Sequence, residues 1–326
     1  VMGIPKTIDN DLAGTDHCPG YASAAKYIAT SLMEIYHDAR VYDTGMITVV
    51  EIMGRNAGWL TASAALASYK GNGPDLIYLP EVDFDLDAFM AKVQDIYNKN
   101  GKCIVAVSEG IKDKNGKYIS EYGADLANSK DSFGHAQLGG LASFLANEIK
   151  KKTGAKVRGI ELNLLQRCGA HLASETDIEE AVMAGRAAVE NAVVGITDKM
   201  VGFERKYDEK GSYVCGIKLM DLTDVANTEK KVPLEWINRE GNNVKNSLVA
   251  DGCVIEGTVE NCVLFRGVKV KKGAVVKNCV LMQDTVVEPN VELDCVVTDK
   301  NVKITAGKKL SGTESFPVYV QKNHTV

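Results

Sequence analysis

The residues with the most chemistry to offer lie at 4–11, in the run Ile-Pro-Lys-Thr-Ile-Asp-Asn-Asp. Lys6, Thr7, Asp9 and Asp11 place an ammonium, a hydroxyl and two carboxylates within six residues, behind a proline that stiffens the approach. In an extended segment Asp9 and Asp11, two apart, project to one side. Such a pair suits a general base beside a second carboxylate that faces a metal or shapes the field, with Lys6 and Thr7 on a phosphate. The same residues suit an Asx-rich turn whose side chains cap their own backbone. Spacing alone leaves both readings open.

Further signatures follow in order: Met53-Gly54-Arg55, Ser108-Glu109-Gly110, then Arg158 with Leu165-Gln166-Arg167. Together with residues 5–11 they resemble the acceptor half of a 6-phosphofructokinase over roughly residues 1–243, and four ordered motifs are more specific than any one. The resemblance implies phosphoryl transfer to the 1-hydroxyl of fructose 6-phosphate, giving fructose 1,6-bisphosphate. It makes Asp9 the base that takes the hydroxyl proton, with Asp11 beside it and Lys6 near the leaving phosphate. Thr7, Ile8, Asp9, Met53, Gly54 and Arg55 fall in the sugar-phosphate contact set, Arg55 stabilising the transferred group and Gly54 letting backbone come close. Glu109 would accept hydrogen bonds from sugar hydroxyls. Arg158 and Arg167, with Leu164, Leu165 and Gln166 alongside, would hold the 6-phosphate through guanidinium forks. In the family one of these arginines reaches in from a neighbouring subunit, so a homo-oligomer is implied. Without the family context, isolated arginines read as solvated surface groups. His135 and His171 are assigned structural roles.

Three positions depart from the family pattern. Leu164 stands where many relatives carry a polar residue, often His, and Met46 stands where ATP-dependent bacterial enzymes often carry a phosphate-binding Arg. Lys6 replaces a common Gly and resembles the pyrophosphate-dependent branch, so pyrophosphate is the favoured donor and ATP the alternative. Magnesium is the implied cofactor, its main ligand expected in an N-terminal donor half that this sequence lacks; no metal ligand is assigned within the chain. Neither a Gly-rich donor loop nor a Gly-Gly-Asp run occurs. The chain begins with Val, roughly a hundred residues late for the family layout, and reads as a fragment. The expectation is a loop around Asp9 deprived of support, a sheet with strands lost and edges exposed, and no phosphotransferase activity from these residues alone.

Composition bounds the remaining classes. With 326 residues, 45% hydrophobic, the chain can bury a core and has room for about two domains. A net charge of -5 without a basic run argues against nucleic acid, and no apolar stretch approaches the length that spans a bilayer. A soluble, cytoplasmic protein is expected. Eight cysteines without a Cys-x-x-Cys pair, and only five histidines, suggest reduced thiols rather than disulfides or zinc.

From residue 22 to about 200 the pattern alternates between helix and strand, predicting an α/β domain on a largely parallel sheet. Strands are expected at 47–53, 76–79, 103–107 and 157–162. Leu86, Phe89, Met90, Val93, Ile96 and Tyr97 mark one buried helix face, and Leu138, Leu141, Leu145 and Ile149 another. A polar turn at 208–211 predicts a hairpin of 201–207 with 213–219.

After residue 244 the period changes. Asn261-Cys262-Val263-Leu264 returns as Asn278-Cys279-Val280-Leu281, seventeen residues on, with degenerate copies at 252–255 and 294–297. Leu264, Val270, Val276 and Met282 are six apart, which predicts a parallel β-helix with coils of about eighteen residues and an inward ladder of cysteines. The tail from Asn246 resembles the left-handed β-helix of bacterial glucose-1-phosphate adenylyltransferases, nearest to their regulatory subunit. The predicted layout is an incomplete phosphofructokinase-like region at 1–243 and a hexapeptide-type β-helix at 244–326. The change at 241–245 comes without a flexible linker. Besides a phosphotransferase, the readings are an interaction protein docking on glycogen-synthesis enzymes through the β-helix, and an artefactual chimera.

Overall fold

Four short hydrophobic runs form the sheet that positions the site. The computed structural model describes residues 1–41, 45–123, 140–209, 211–237, 244–245, 247–250, 252–313 and 315–326. Its elements begin with β1 (Met2–Gly3), α1 (Tyr21–Arg40), β2 (Met46–Ile52), α2 (Trp59–Ala62), β3 (Leu76–Tyr78), α3 (Leu86–Asn100) and β4 (Cys103–Ser108). They continue with α4 (Leu141–Thr153), β5 (Lys156–Glu161), α5 (Glu175–Val193), β6 (Lys199–Tyr207) and β7 (Tyr213–Asp221). β3, β4, β2 and β5 lie in that order, all parallel. Each expected strand is found within one residue of its predicted ends, and β6 and β7 form the expected hairpin.

β2 and β4 are buried at every position, as parallel strands covered on both faces must be. Their alternate residues feed two cores. Ile47, Val49, Cys103, Val105 and Val107 pack with Phe89, Met90 and Val93 of α3 and Leu141, Leu145 and Ile149 of α4. Val50, Ile52, Ile104 and Ala106 pack with Ile28 and Leu32 of α1 and Leu60 of α2. The predicted helix face at 138–149 is realised from Leu141 onward; Leu138 and His135 lie outside the described residues.

The Asp9 loop does not lack support. β1 pairs in parallel with β6, joining the hairpin in a second sheet, and Leu12 bridges Glu229. The Asp16 N–H donates to the Phe203 carbonyl at 3.0 Å. Backbone from residues 198–230 thus satisfies groups that sequence reasoning left unpaired.

The chain divides into two units, 1–67 with 72–232 and 68–71 with 233–326. In the second unit three parallel sheets stack coil on coil. After a first coil of fifteen residues, in which Val244 faces Val259 and Val254 faces Lys269, the coil is seventeen, not eighteen: Val263 faces Val280, Lys269 faces Val286 and Val275 faces Glu292. The inward positions are Leu264, Val270, Val276, Leu281, Val287 and Leu293, so the third step in each coil is five residues. Met282, expected to point inward, is therefore only half-buried, and Leu281 fills that place.

The same one-residue slip divides the cysteines. Cys262 and Cys279 stack, and Val296 continues their column, its N–H donating to Cys279 Sγ at 3.4 Å. Cys295 instead takes the left-handed backbone position held by Asn261 and Asn278 in the preceding coils. Cys253 lies on a different face, beside strand Val254–Ile255, which pairs with Lys269–Val270. The anticipated ladder of four is thus a column of two. Outside it an amide ladder runs from Asn261 to Asn278 at 3.1 Å and on to Asp294 at 2.8 Å.

Candidate active site

The site lies at the carboxyl ends of β2, β4 and β5, where open α/β sheets place ligands. Chain leaving β2 makes a tight turn at Met53-Gly54-Arg55 against chain leaving β4. Gly54 has φ +126°, and a Cβ there would lie 2.6 Å from the Ala57 carbonyl oxygen. A Cβ on Gly110 would lie 2.0 Å from the Arg55 carbonyl oxygen. Both glycines are therefore required by close backbone approach. Buried Ser108 ties the two turns together: its hydroxyl donates to the Gly54 carbonyl at 2.6 Å and accepts from the Gly110 N–H at 3.1 Å.

Gln166 performs the same service between the turn after β2 and the one after β5. It is 2% exposed, its Oε1 accepting from the Met53 N–H at 3.2 Å and its Nε2 donating to the Asn163 carbonyl at 3.0 Å. Arg55 and Arg167 are thereby carried on one clamped unit. The two leucines before Gln166 are exposed, Leu164 by 52% and Leu165 by 60%. Met46 is buried in the core at the far end of β2, six residues before Ile52, with no access to a phosphate at the sheet's carboxyl end.

The segment 6–11 is a turn rather than an extended strand. The Asp9 N–H donates to Thr7 Oγ1 at 3.1 Å, and Asn10, 3% exposed, takes a left-handed conformation at φ 59°. Asn10 Oδ1 accepts from the Cys18 N–H at 3.0 Å and from Lys230 Nζ at 3.1 Å. The turn reading is realised through Thr7 and Asn10, whose side chains accept from nearby backbone N–H groups. Lys230 is the anchor that sequence reasoning missed. Its ammonium also donates to the carbonyls of Thr15 at 3.1 Å and Asp16 at 2.9 Å, and its N–H to the Asp11 carbonyl at 2.7 Å. Asp177, equally unforeseen, accepts from the Gly20 N–H at 2.7 Å and the Ser23 N–H at 3.1 Å, capping α1 directly after the loop.

Electrostatics brings the charged residues together. Burial and then the Asp11 carboxylate raise the pKa of half-buried Asp9, while Lys6, Arg55 and Arg167 oppose the rise. Burial likewise raises Glu109, against the Gly54 N–H that donates to it at 3.3 Å; Asp9 adds to the rise and Arg55 opposes it. Asp9, Asp11, Lys6, Arg55, Glu109 and Arg167 therefore share one field although they come from four stretches of sequence. His171 stays outside it, exposed and edge-on to Tyr27.

Arg158 is not brought to the site within one chain. It is exposed on the edge strand β5, in register with Thr48, four residues before Ile52. At about 3.3 Å per residue this places it roughly 13 Å short of the sheet's carboxyl end.

Beneath the turns, Glu51, Ile52, Met53, Glu109, Glu161, Asn163 and Gln166 line a cavity of about 60 Å³. That is room for about two waters, so a sugar phosphate must sit on the open side. Burial pushes the Glu51 carboxyl up to about 7, against the Ala142 N–H that donates to it at 2.9 Å; Glu161 and Glu109 raise it further. With a folded-state pKa above its ordinary value of 4.5, Glu51 contributes stability that is complete below pH 4.5 and lost as pH rises through about 7. Wild-type protein is expected to lose about 3 kcal/mol between pH 4.5 and 8 through this group. In Glu51→Gln that loss should vanish, leaving the variant the more stable at pH 8 in urea unfolding.

Residues 1–192 match the family model described as Phosphofructokinase, and residues 233–314 match one described as GlmU-like, C-terminal hexapeptide. The chain belongs to the phosphofructokinase family. It is similar to the pyrophosphate--fructose 6-phosphate 1-phosphotransferase of Xanthomonas campestris pv. campestris (strain B100), with 47% identity over 246 residues, 74% of this chain and 57% of that protein. The enzyme of the same name from Halomonas elongata is 42% identical over 241 residues, 73% and 56% of the two chains. The crystal structure of pyrophosphate-dependent phosphofructokinase from Marinobacter aquaeolei superposes with a TM-score of 0.61 at 35% identity, covering 73% of this chain and 55% of that one. The chain spans little more than half the length of these relatives.

Proposed function

We propose that residues 1–243 form the fructose 6-phosphate side of a cytoplasmic, pyrophosphate-dependent phosphotransferase, and that residues 244–326 form a separate β-helix module. The reaction is attack of the sugar's 1-hydroxyl on phosphorus. Asp9 takes the hydroxyl proton as the oxygen–phosphorus bond forms, and the remaining phosphate leaves. The observation that carries this reading is the field at Asp9. A half-buried carboxylate with a raised pKa, ringed by Lys6, Arg55 and Arg167, is suited to deprotonate a hydroxyl beside a phosphate. Glu109 and the Thr7 hydroxyl hold the sugar, and Arg167 binds its 6-phosphate.

Lys6 and the names of the relatives support pyrophosphate over ATP as donor. A homo-oligomer is part of the proposal, because exposed Arg158 on β5 reaches a phosphate only if the site is completed between subunits. Magnesium would come with the donor. Among the described residues, the atoms close enough to share an ion belong to His17, Glu180 and Cys215, a nitrogen, oxygen and sulfur set unsuited to a cation that takes oxygen ligands. No helix among the described residues is long and apolar enough to cross a membrane.

Titration calorimetry of the 326-residue chain with fructose 6-phosphate tests the acceptor site. Binding is expected, and Arg55→Ala or Arg167→Ala should each weaken it by about 10- to 100-fold, the worth of one charged hydrogen bond. Undiminished affinity in both variants would remove the assignment. Assayed alone with magnesium and either donor, these residues should bind without turning over.

A further inference from the structure

A second cluster of reactive side chains lies outside the phosphosugar site and is used by none of the chemistry above. His17, on the loop before α1, Glu180 on α5 and Cys215 on β7 offer ring nitrogen, carboxylate oxygen and sulfur all within 4.8 Å of one another. The residues are 163 and 35 positions apart in sequence, so three separate elements converge on one point.

The atoms not facing that point are already engaged. His17 Nδ1 meets Asp16 Oδ2 at 2.9 Å, which leaves Nε2 turned inward, 2.6 Å from Glu180 Oε2. Asp16 is held in turn by Arg205 Nε at 3.1 Å and Nη2 at 3.2 Å. The Tyr213 hydroxyl donates to Glu180 Oε1 at 2.7 Å, leaving Oε2 for the cluster, and the His17 ring stacks on Phe203 at 4.8 Å. The carboxylate–histidine pair at Asp16 and His17 is the outer support that metal-ligating imidazoles use. The His17 and Glu180 side chains are 12% and 7% exposed, so both are largely withdrawn from solvent.

We propose that His17, Glu180 and Cys215 form a binding site for a borderline transition-metal ion of the zinc class, with Asp16 orienting the imidazole. The mixed donor set selects such an ion over magnesium or calcium, which take oxygen alone. To reach the edges of a tetrahedron with zinc-like bonds, the His17–Glu180 pair, now at 2.6 Å, opens by under about 1 Å and any separation near the 4.8 Å limit closes by about 1 Å, a water taking the fourth corner. The ion would pin the loop that carries Asp9 to α5 and to the β6–β7 hairpin.

Cobalt(II) serves as the probe, because a thiolate ligand gives it a near-ultraviolet charge-transfer band. Titrating the reduced 326-residue chain should show one cobalt per chain with that band, displaced by stoichiometric zinc and unaffected by millimolar magnesium. Cys215→Ser, which keeps a polar atom of similar size, should lose the band, whereas Cys168→Ser, at an exposed thiol elsewhere, should keep it. Asp16→Asn should weaken binding about 10- to 100-fold with the band intact. Absence of the band in the unsubstituted chain, or its survival in Cys215→Ser, would overturn the assignment. Neither result bears on fructose 6-phosphate binding, which is measured separately.

Discussion

Asp9→Asn is expected to lower phosphoryl transfer by on the order of 10²- to 10⁴-fold, the usual worth of a positioned general base, without weakening fructose 6-phosphate. The two effects separate because the carboxylate has opposite roles in them. In the ground state Asp9 is an anion near the place proposed for an anionic ligand, and it draws on the positive field of Lys6, Arg55 and Arg167. Asn keeps its shape, removes the repulsion and leaves the cations to the phosphate. In the reacting state the hydroxyl proton has no acceptor, since an amide cannot take it. The rate is measured in an active enzyme carrying residues 1–243 as its acceptor half, and binding on the chain itself. A variant turning over within a few-fold of the parent would remove Asp9 from the role of base.

Gly110→Ala is expected to be among the most damaging single-atom changes in the chain. The added methyl would meet the Arg55 carbonyl oxygen at 2.0 Å, its carbon at 2.6 Å and the Arg55 Cα at 2.8 Å, all backbone atoms. No side-chain rotation relieves that contact, so the turn bearing Arg55 must move away from Ser108 and Glu109. About 3 kcal/mol or more of stability should be lost, together with fructose 6-phosphate binding. Gly185→Ala provides the contrast. It lies within α5 with nothing inside 4 Å of the added methyl, so helix propensity alone should make it more stable by about 0.8–1.0 kcal/mol. Urea unfolding of the two variants gives shifts of opposite sign if local space decides them.

What could be read in advance follows from the range of the signals. Periodicity is local, so the strands 46–52, 76–78, 103–108 and 156–161 and the face of Phe89, Met90 and Val93 were visible as apolar runs. The residues around Asp9 were visible because their motifs resemble a family. The supports of that loop were not. Lys230 and Asp177 lie among other charged residues, 220 residues from Asn10 and 157 from Gly20, and no pattern singles them out from their neighbours. Glu51 is the last residue but one of β2, in an apolar run, where only the fold shows that its carboxyl is buried near Glu109 and Glu161. In the tail, the Asn-Cys pairs recur seventeen apart, yet even six-residue spacing led to a coil of about eighteen and to Met282 in place of Leu281. Only strand register exposes the five-residue third step.

That uneven step governs how the β-helix can change length. Because each strand takes its alignment from the one a coil earlier, a residue gained or lost inside a strand would rotate every later apolar position outward, and the error would propagate to the chain end. The final coil shows where extra length is tolerated: Val296 faces Val318, twenty-two positions on, while Glu292 still faces Lys309 at seventeen. The additional residues are absorbed at the corner after Ser311, with the columns on either side undisturbed. Corners of this kind are where a peptide could be inserted and displayed without unzipping the stack.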